Sequence, residues 1–265
     1  MKVLLFGASR GCGLEAAVQL VERGHACTLF LRDPNALDTR LKAAEPALVS
    51  VVKGDAFKAD DVRAAFESIQ GGPDIVVTSI GGRPAFGQNF FSPPLVPEKI
   101  CERASAILLP ALQRSTIEQR GGQAIRLIVV SSSGLGEAGH KELPLALKPM
   151  YGWMLKHPHA DKEQLELAVY HAAGLQHPDP SIEAHASAAL APAVEGANTT
   201  TPALQEFILV RPAFLTDGPR TEGKYKADPH LVSWTVSRAD IGQFIAKECV
   251  DKDSKWLNQA VTVGY

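Results

Sequence analysis

An α/β fold with one domain built around a doubly wound parallel sheet is what this sequence predicts, on three observations. Short apolar runs alternate with amphipathic helical stretches along most of the chain. The first run passes directly through a glycine-rich turn into a helical pattern. Glycines recur where later runs end, at Gly54, at Gly81-Gly82 and at Gly134.

Lys2 to Phe6 is a short apolar strand of the kind buried on both faces of a parallel sheet. The turn Gly7-Ala8-Ser9-Arg10-Gly11-Cys12-Gly13 leads into a helix ending near Arg23-Gly24. Gly7 permits a sharp exit from the strand, while Gly11 and Gly13 let backbone amides approach a pyrophosphate at the positive end of the helix. In that context the turn reads as the dinucleotide-binding turn of a Rossmann-type unit. Ala26 to Leu31 is a second buried strand. It ends in Arg32, where an acidic residue would serve the ribose of NAD. A guanidinium there suits the 2′-phosphate of NADP, and Arg10 approaches the same phosphate from the turn. Asp33, one residue late for the NAD position, points to the opposite face and caps a helix beginning near Asn35.

The alternation continues. Val49 to Val52 is a third strand, and a helix runs from about Asp60 to Gln70, closed by Gly71-Gly72-Pro73. Asp74 to Ser79 is a fourth strand, followed by a helix from Glu98 to Glu118. A fifth strand, Ala124 to Val130, ends in Ser131-Ser132-Ser133-Gly134. A helix from near His157 to Ala173, a sixth strand Phe207 to Val210, a helix from Ala239 to Val250 and a strand near Val261 complete the series, with right-handed crossovers. Gln176 to Leu204 breaks the rhythm: proline- and alanine-rich and without periodicity, it reads as an irregular surface insertion remote from the cofactor edge.

Composition excludes several classes. The chain has 265 residues, a net charge of −2 and no composition break that would mark a linker, so one domain is expected. No apolar run nears the roughly 20 residues of a membrane helix. Met1-Lys2 leads straight into a strand, so no signal peptide is expected. Cys12, Cys27, Cys101 and Cys249 are scattered without ligand spacing, which points to a reducing cytoplasmic setting and no metal. No basic block or aromatic-basic stripe marks a nucleic-acid surface.

The glycine turn, Arg32, Gly54-Asp55 and Arg211-Pro212-Ala213-Phe214-Leu215 together resemble the atypical short-chain dehydrogenase/reductase superfamily. Asp161-Lys162-Glu163 leading to Ala172-Ala173-Gly174-Leu175, and Val236-Ser237-Arg238-Ala239-Asp240-Ile241-Gly242, are similar to its NmrA-like and biliverdin-reductase-B-like (flavin reductase) branch. The likeness spans nearly all of the chain except 176–204. It implies NADP(H) along the carboxyl edge of the sheet. The implied contacts are Gly7, Ser9, Arg10, Cys12 and Gly13 of the turn, Arg32, Asp55 and Ala56, Gly81, Gly82 and Arg83, and the loop from Pro212 through Phe214 to Leu215. The superfamily includes reductases, epimerases, cyclases and redox sensors, so membership leaves the reaction open.

The main branch of that superfamily protonates its substrate with a Tyr whose pKa a Lys four residues later lowers. Residues four beyond Tyr151, Tyr170 and Tyr225 are Leu155, Gly174 and Pro229, so no such dyad exists here. Tyr151 and Lys156, five apart, would sit about 140° apart on a helix. The chemistry then falls to Ser131, Ser132 and Ser133 after the fifth strand and to His157, His159, Asp161 and Lys162 at the next helix. Ser133 and Asp161 are the candidate proton-handling groups, Ser131 lies beside the nicotinamide, and Lys162 holds the ribose. The reading is an NADPH-dependent oxidoreductase passing a hydride to a small carbonyl or conjugated substrate. The alternatives are an NADP(H)-binding redox sensor that reports to a protein partner, and a non-redox isomerase or cyclase that keeps the cofactor pocket.

Overall fold

The computed structural model describes residues 1–85, 93–186 and 202–265. β1 (Lys2–Phe6) leads through the glycine turn into α1 (Gly11–Glu22), and β2 (Ala26–Leu31) follows. Asp33 caps a short 3-10 turn by accepting the Asn35 amide at 3.0 Å, as its place before Pro34 suggested. Then come α2 (Thr39–Lys42), β3 (Val49–Lys53), α3 (Ala59–Glu67) and β4 (Ile75–Thr78). An antiparallel pair, β5 (Arg83–Pro84) and β6 (Leu95–Val96), precedes α4 (Ile100–Glu118) and β7 (Arg126–Val130). Beyond β7 lie α5 (Gly136–Lys141), α6 (Lys148–Met154), α7 (Lys156–Ala172) and α8 (Pro180–Glu183). The chain closes with β8 (Glu206–Pro212), β9 (Phe214–Thr216), β10 (Lys226–Asp228), β11 (Thr235–Ser237), α9 (Arg238–Phe244) and β12 (Gln259–Gly264).

Eight strands form the central sheet in the order β10-β12-β8-β7-β4-β1-β2-β3, all neighbours parallel except the β10–β12 edge. The order reverses between β1 and β4, which is where doubly wound sheets open a crevice at their carboxyl ends. Alternate side chains serve two cores. Val3, Leu5, Leu29, Val77, Ile128 and Val210 pack against α1 and α9, while Leu4, Phe6, Phe30, Val76, Leu127 and Leu209 pack against α3, α4 and α7. α1 and α9 approach closely because residue 242 is glycine: a Cβ there would lie 2.5 Å from the backbone carbon of Glu15.

Two expectations change. The last helix, expected to run unbroken from Ala239 to Val250, passes at Ile245–Cys249 into a π-helical turn. The buried Arg126 reaches that end of the chain, donating to the carbonyl oxygens of Cys249, Asp251 and Lys252 while pairing with Glu206. Nor is the start of the 176–204 segment an irregular surface excursion. α8 lies in it, Ile182 is fully buried with Leu135 and Leu167, and Asp179 Oδ2 accepts the Ala138 amide at 3.0 Å. Residues 187–201 of that segment lie outside those described.

Candidate functional site

A cavity of about 880 Å³ runs along the carboxyl edge of the sheet. Its position follows from strand order, since Arg32 leaves β2, Gly7 leaves β1, Ser79 to Gly82 leave β4 and Ser131 leaves β7. At its centre the glycine turn is forced by space and by backbone geometry. Gly7 has φ +75° and a Cβ there would meet the Ser79 carbonyl carbon at 2.7 Å, while a Cβ at Gly13 would lie 2.5 Å from Gly7 O. With those glycines, α1 starts tight against the strand ends and turns its first amides toward the cavity.

Of the residues expected to hold a dinucleotide, Gly7, Ser9, Arg10, Gly11, Cys12, Arg32, Asp55, Ala56, Gly81, Gly82, Ser131, Lys162 and Leu215 line the cavity. Arg10 and Arg32 are exposed, and neither is in an ion pair among the described residues. Asp33 also lines the cavity rather than facing away, with one oxygen already taken by the Asn35 amide. Asp55 Oδ1 accepts the Phe57 amide at 3.0 Å, fixing the loop after β3. Cys12 carries no thiolate, since burial pushes its pKa up to about 12.

Several expected contacts lie elsewhere. Gly13 packs under the turn, the buried Pro212 and the exposed Phe214 do not line the cavity, and the Arg83 side chain lies outside the described residues. Asp161 requires a correction. It is buried with no place in the cavity, its carboxylate taking the Cys101 amide at 3.1 and 2.9 Å and the Glu102 amide at 3.0 Å. α4 has no side-chain cap of its own at Lys99, so Asp161 supplies one from α7, and its oxygens are committed to that helix end.

The side of the cavity between the ends of β4 and β7 is built on Lys162 and Ser131. Lys162 Nζ donates to Ile80 O at 2.9 Å and Val130 O at 2.7 Å, tying the ends of β4 and β7 together. Two of its three N–H groups are thereby used and one remains. Ser131 Oγ donates to Glu166 Oε1 at 2.5 Å. Glu166 is fully buried and also accepts from Arg211, with Nε at 3.0 Å and Nη2 at 2.5 Å, and from His177 Nε2 at 3.1 Å. Burial alone would push the Glu166 carboxyl up, but Arg211, His177 and Ser131 hold it down at about 2. An ionised partner takes the only proton of Ser131, so this hydroxyl meets the cavity as an acceptor.

Behind Ser131, Ser133 is buried and, like Asp161, does not line the cavity; apart from the adjacent Tyr151 phenol its hydroxyl meets no hydrogen-bond partner among the described residues. Tyr151 sits beside it, its phenol pushed up by burial with Ser133 opposing the shift. His159 stacks edge-on against Tyr151 at 5.3 Å and lies 3.3 Å from Ser132 Oγ, and desolvation pushes its pKa down to about 4. Tyr151 is buried in α6 whereas Lys156 is exposed at the start of α7.

Sequence reasoning did not single out Arg238 or Asp217 as cavity residues, nor Glu166 beneath Ser131. The Ser237-Arg238-Ala239-Asp240 spacing was a usable signal for the first, since Ser237 Oγ accepts the Asp240 amide at 3.0 Å as a helix cap. Asp240 itself is fully buried and accepts from Thr221 and Tyr265.

Comparison with known proteins decides the family. The NAD(P)H-binding family matches residues 7–177, well over half of the chain. This chain belongs to the NAD(P)H-binding family. A curated relative, reductase pytE of Aspergillus terreus, is 28% identical over 281 residues, covering 99% of this chain and 97% of that one. Among solved structures, ChuY, an anaerobillin reductase from Escherichia coli O157:H7, superposes with a TM-score of 0.63 at 20% identity over 100% of this chain and 97% of its own. A short-chain dehydrogenase/reductase from Veillonella parvula in complex with NADP gives 0.62 at 16% identity, over 100% and 94%. Family and fold therefore agree with the resemblance read from the motifs, and the similarity to reductase pytE extends over nearly the whole chain. No described helix is long and apolar enough to cross a membrane.

Proposed function

We propose that this chain is an NADPH-dependent oxidoreductase of the atypical short-chain dehydrogenase/reductase type, cytoplasmic, transferring a hydride to a small carbonyl or conjugated substrate. One observation carries the reading. A single cavity holds two arginines that are in no ion pair among the described residues by the ends of β1 and β2, the glycine turn in the middle, and Lys162 with Ser131 where β7 ends. The residues fit a dinucleotide: only a chain lacking Cβ atoms at Gly7 and Gly13 can make this turn, and it turns its amides to the place a pyrophosphate needs. Arg32 and Arg10 suit a 2′-phosphate, while the remaining Lys162 N–H and the acceptor face of Ser131 suit a ribose or carboxamide that both accepts and donates.

Bound there, the reduced nicotinamide supplies the hydride. The chain's own residues orient the two partners. Ser131 cannot polarise a substrate carbonyl because its hydroxyl proton is donated to the Glu166 carboxylate, and Asp161 is taken up by α4. Ser133 is buried outside the cavity lining, so water within the cavity is the proton source. Near neutral pH, His159 is uncharged and acts on Ser132 as a hydrogen-bond partner rather than as an acid.

Titration of the purified protein with NADPH and NADH, followed by NADPH oxidation with a panel of quinones, flavins, enones and imines, tests this. NADPH should bind at least about tenfold more tightly than NADH, a margin of about 1.4 kcal/mol, and Arg32→Ala should erase most of it. Equal affinities in the wild type would reject the NADP assignment. Tight binding without oxidation by any of the panel would reject the oxidoreductase.

A further inference from the structure

Arg238 opens α9 with its side chain over the glycine turn. The atoms nearest to a Cβ placed on Gly11 are Arg238 Cδ at 3.8 Å and Nε at 4.0 Å. Its Nη1 donates to Asp217 Oδ1 at 2.7 Å, and no other partner of the guanidinium is found among the described residues. The two halves of this ion pair differ in how far their side chains are exposed. Arg238 is 32% exposed and sits on a fixed base: Ser237 caps α9, Gln19 Nε2 donates to Ala239 O at 2.8 Å, and Gly242 packs against Glu15. Asp217 has a 90% exposed side chain, one residue beyond Thr216, which pairs with Ser237 across β9 and β11; on its other side Arg220 reaches Glu22 and Thr221 reaches Asp240. Both residues line the main cavity and also a second cavity of about 540 Å³ that shares Gly11 with it.

Building on the dinucleotide reading above, we propose that Arg238 is a cofactor-positioning residue that exchanges the Asp217 carboxylate for the pyrophosphate of the dinucleotide, with Asp217 acting as a built-in competitor that sets the affinity. A guanidinium offers five N–H donors in one plane, and a phosphate pair at the helix start brings more charge to that fork than one exposed carboxylate. The exchange requires no backbone rearrangement of α9; only the exposed side chain of Asp217 has to turn toward solvent. Because the pyrophosphate is common to NADP and NAD, this contact sets affinity without choosing between them. Arg32, which meets the adenine side of the cavity, does the choosing.

Dissociation constants for NADPH and NADH, measured by isothermal titration on wild type, Asp217→Asn, Arg238→Gln and the double variant, test the exchange. Arg238→Gln should weaken both cofactors by the same factor, about tenfold or more, whereas Arg32→Ala weakens NADPH alone. Asp217→Asn should tighten both about threefold, and in the Arg238→Gln background should change either by less than about twofold. Equal tightening with and without Arg238 would mean simple charge repulsion and overturn the exchange. So would no tightening in Asp217→Asn, a surface change that leaves the fold intact and keeps the test valid even if Arg238→Gln unfolds. If the wild type binds neither nucleotide, the reading of the cavity falls and this inference with it; if it binds both and the variants do not shift as stated, this inference alone falls.

Discussion

The two carboxylate oxygens of Asp161 accept the amide of Cys101 at 3.1 and 2.9 Å, so a side chain of α7 caps the first turn of α4. Charge at that spot serves the helix end and the packing of two helices against the sheet, at a place the cavity does not reach.

Asp161→Asn should therefore lower stability rather than chemistry. Losing a charged acceptor at a helix start costs about 1–2 kcal/mol, a drop of a few degrees in melting temperature. Calorimetry beside NADPH titration checks it: the melting point falls while affinity stays within about twofold. An unchanged melting point with a collapsed rate would return Asp161 to the chemistry.

Ser133→Ala and Tyr151→Phe should each cost less than about tenfold in kcat/KM with NADPH affinity held, because both side chains are buried outside the cavity lining. Steady-state rates on a substrate found in the panel, read with cofactor affinities, check it. A loss of about 10²-fold in either variant would hand the proton to that side chain.

Acid stability should fall in two separate windows. His159 has its pKa pushed down to about 4 in the fold against an ordinary 6.5, so the unfolded chain takes the proton first and stability declines as pH drops from 6.5 toward 4. Glu166 sits at about 2 against 4.5; its contribution is complete above 4.5 and is lost as pH falls from there toward 2. Urea midpoints measured against pH should show His159→Gln flattening the upper window and Glu166→Gln the lower. A His159→Gln curve parallel to wild type between pH 6.5 and 4 would assign that decline to another group.

Ile182→Ala should cost about 2–5 kcal/mol, the range for emptying a buried aliphatic site. Replacing 176–204 by a short Gly-Ser link should also destabilise, since it removes Ile182, His177 and the Asp179 and Ser181 acceptors for the amides of Ala138 and Glu137. Unchanged denaturation midpoints in both proteins would show that α8 contributes nothing to holding the loop after β7.

Much of the fold was legible because buried parallel strands are written as unbroken apolar runs. Ala26–Leu31 matches its expected strand residue for residue, and Asp33 before Pro34 announces its own cap. That the glycine turn, Arg10 and Arg32 would line the cavity was equally readable, since their positions depend on local backbone and on strand order. What stayed hidden is tertiary. Asp161 caps a helix sixty residues away in sequence, and α8 is held by hydrogen bonds that reach back more than forty. Arg126 and Glu166 are charges in apolar stretches, and their partners appear only when the sheet and α7 are assembled. Arg238 lies between: its helix start was marked by Ser237 and Asp240, yet its neighbour Asp217 comes from another loop.

The Glu166 site also bears on the order in which the chain can be made. Ser131, Glu166 and His177 leave the ribosome well before Arg211, which lies 45 residues after the carboxylate it neutralises. A nascent chain that carries the whole glycine turn, and the full stretch 7–177 matched to the family, still holds a carboxylate that cannot go into an apolar interior without its cation. The floor beneath the Ser131 end of the cavity therefore sets only after β8 has been added to the sheet. Fragments ending before Arg211 should expose this region to proteases, however complete their nucleotide-binding motif looks on paper.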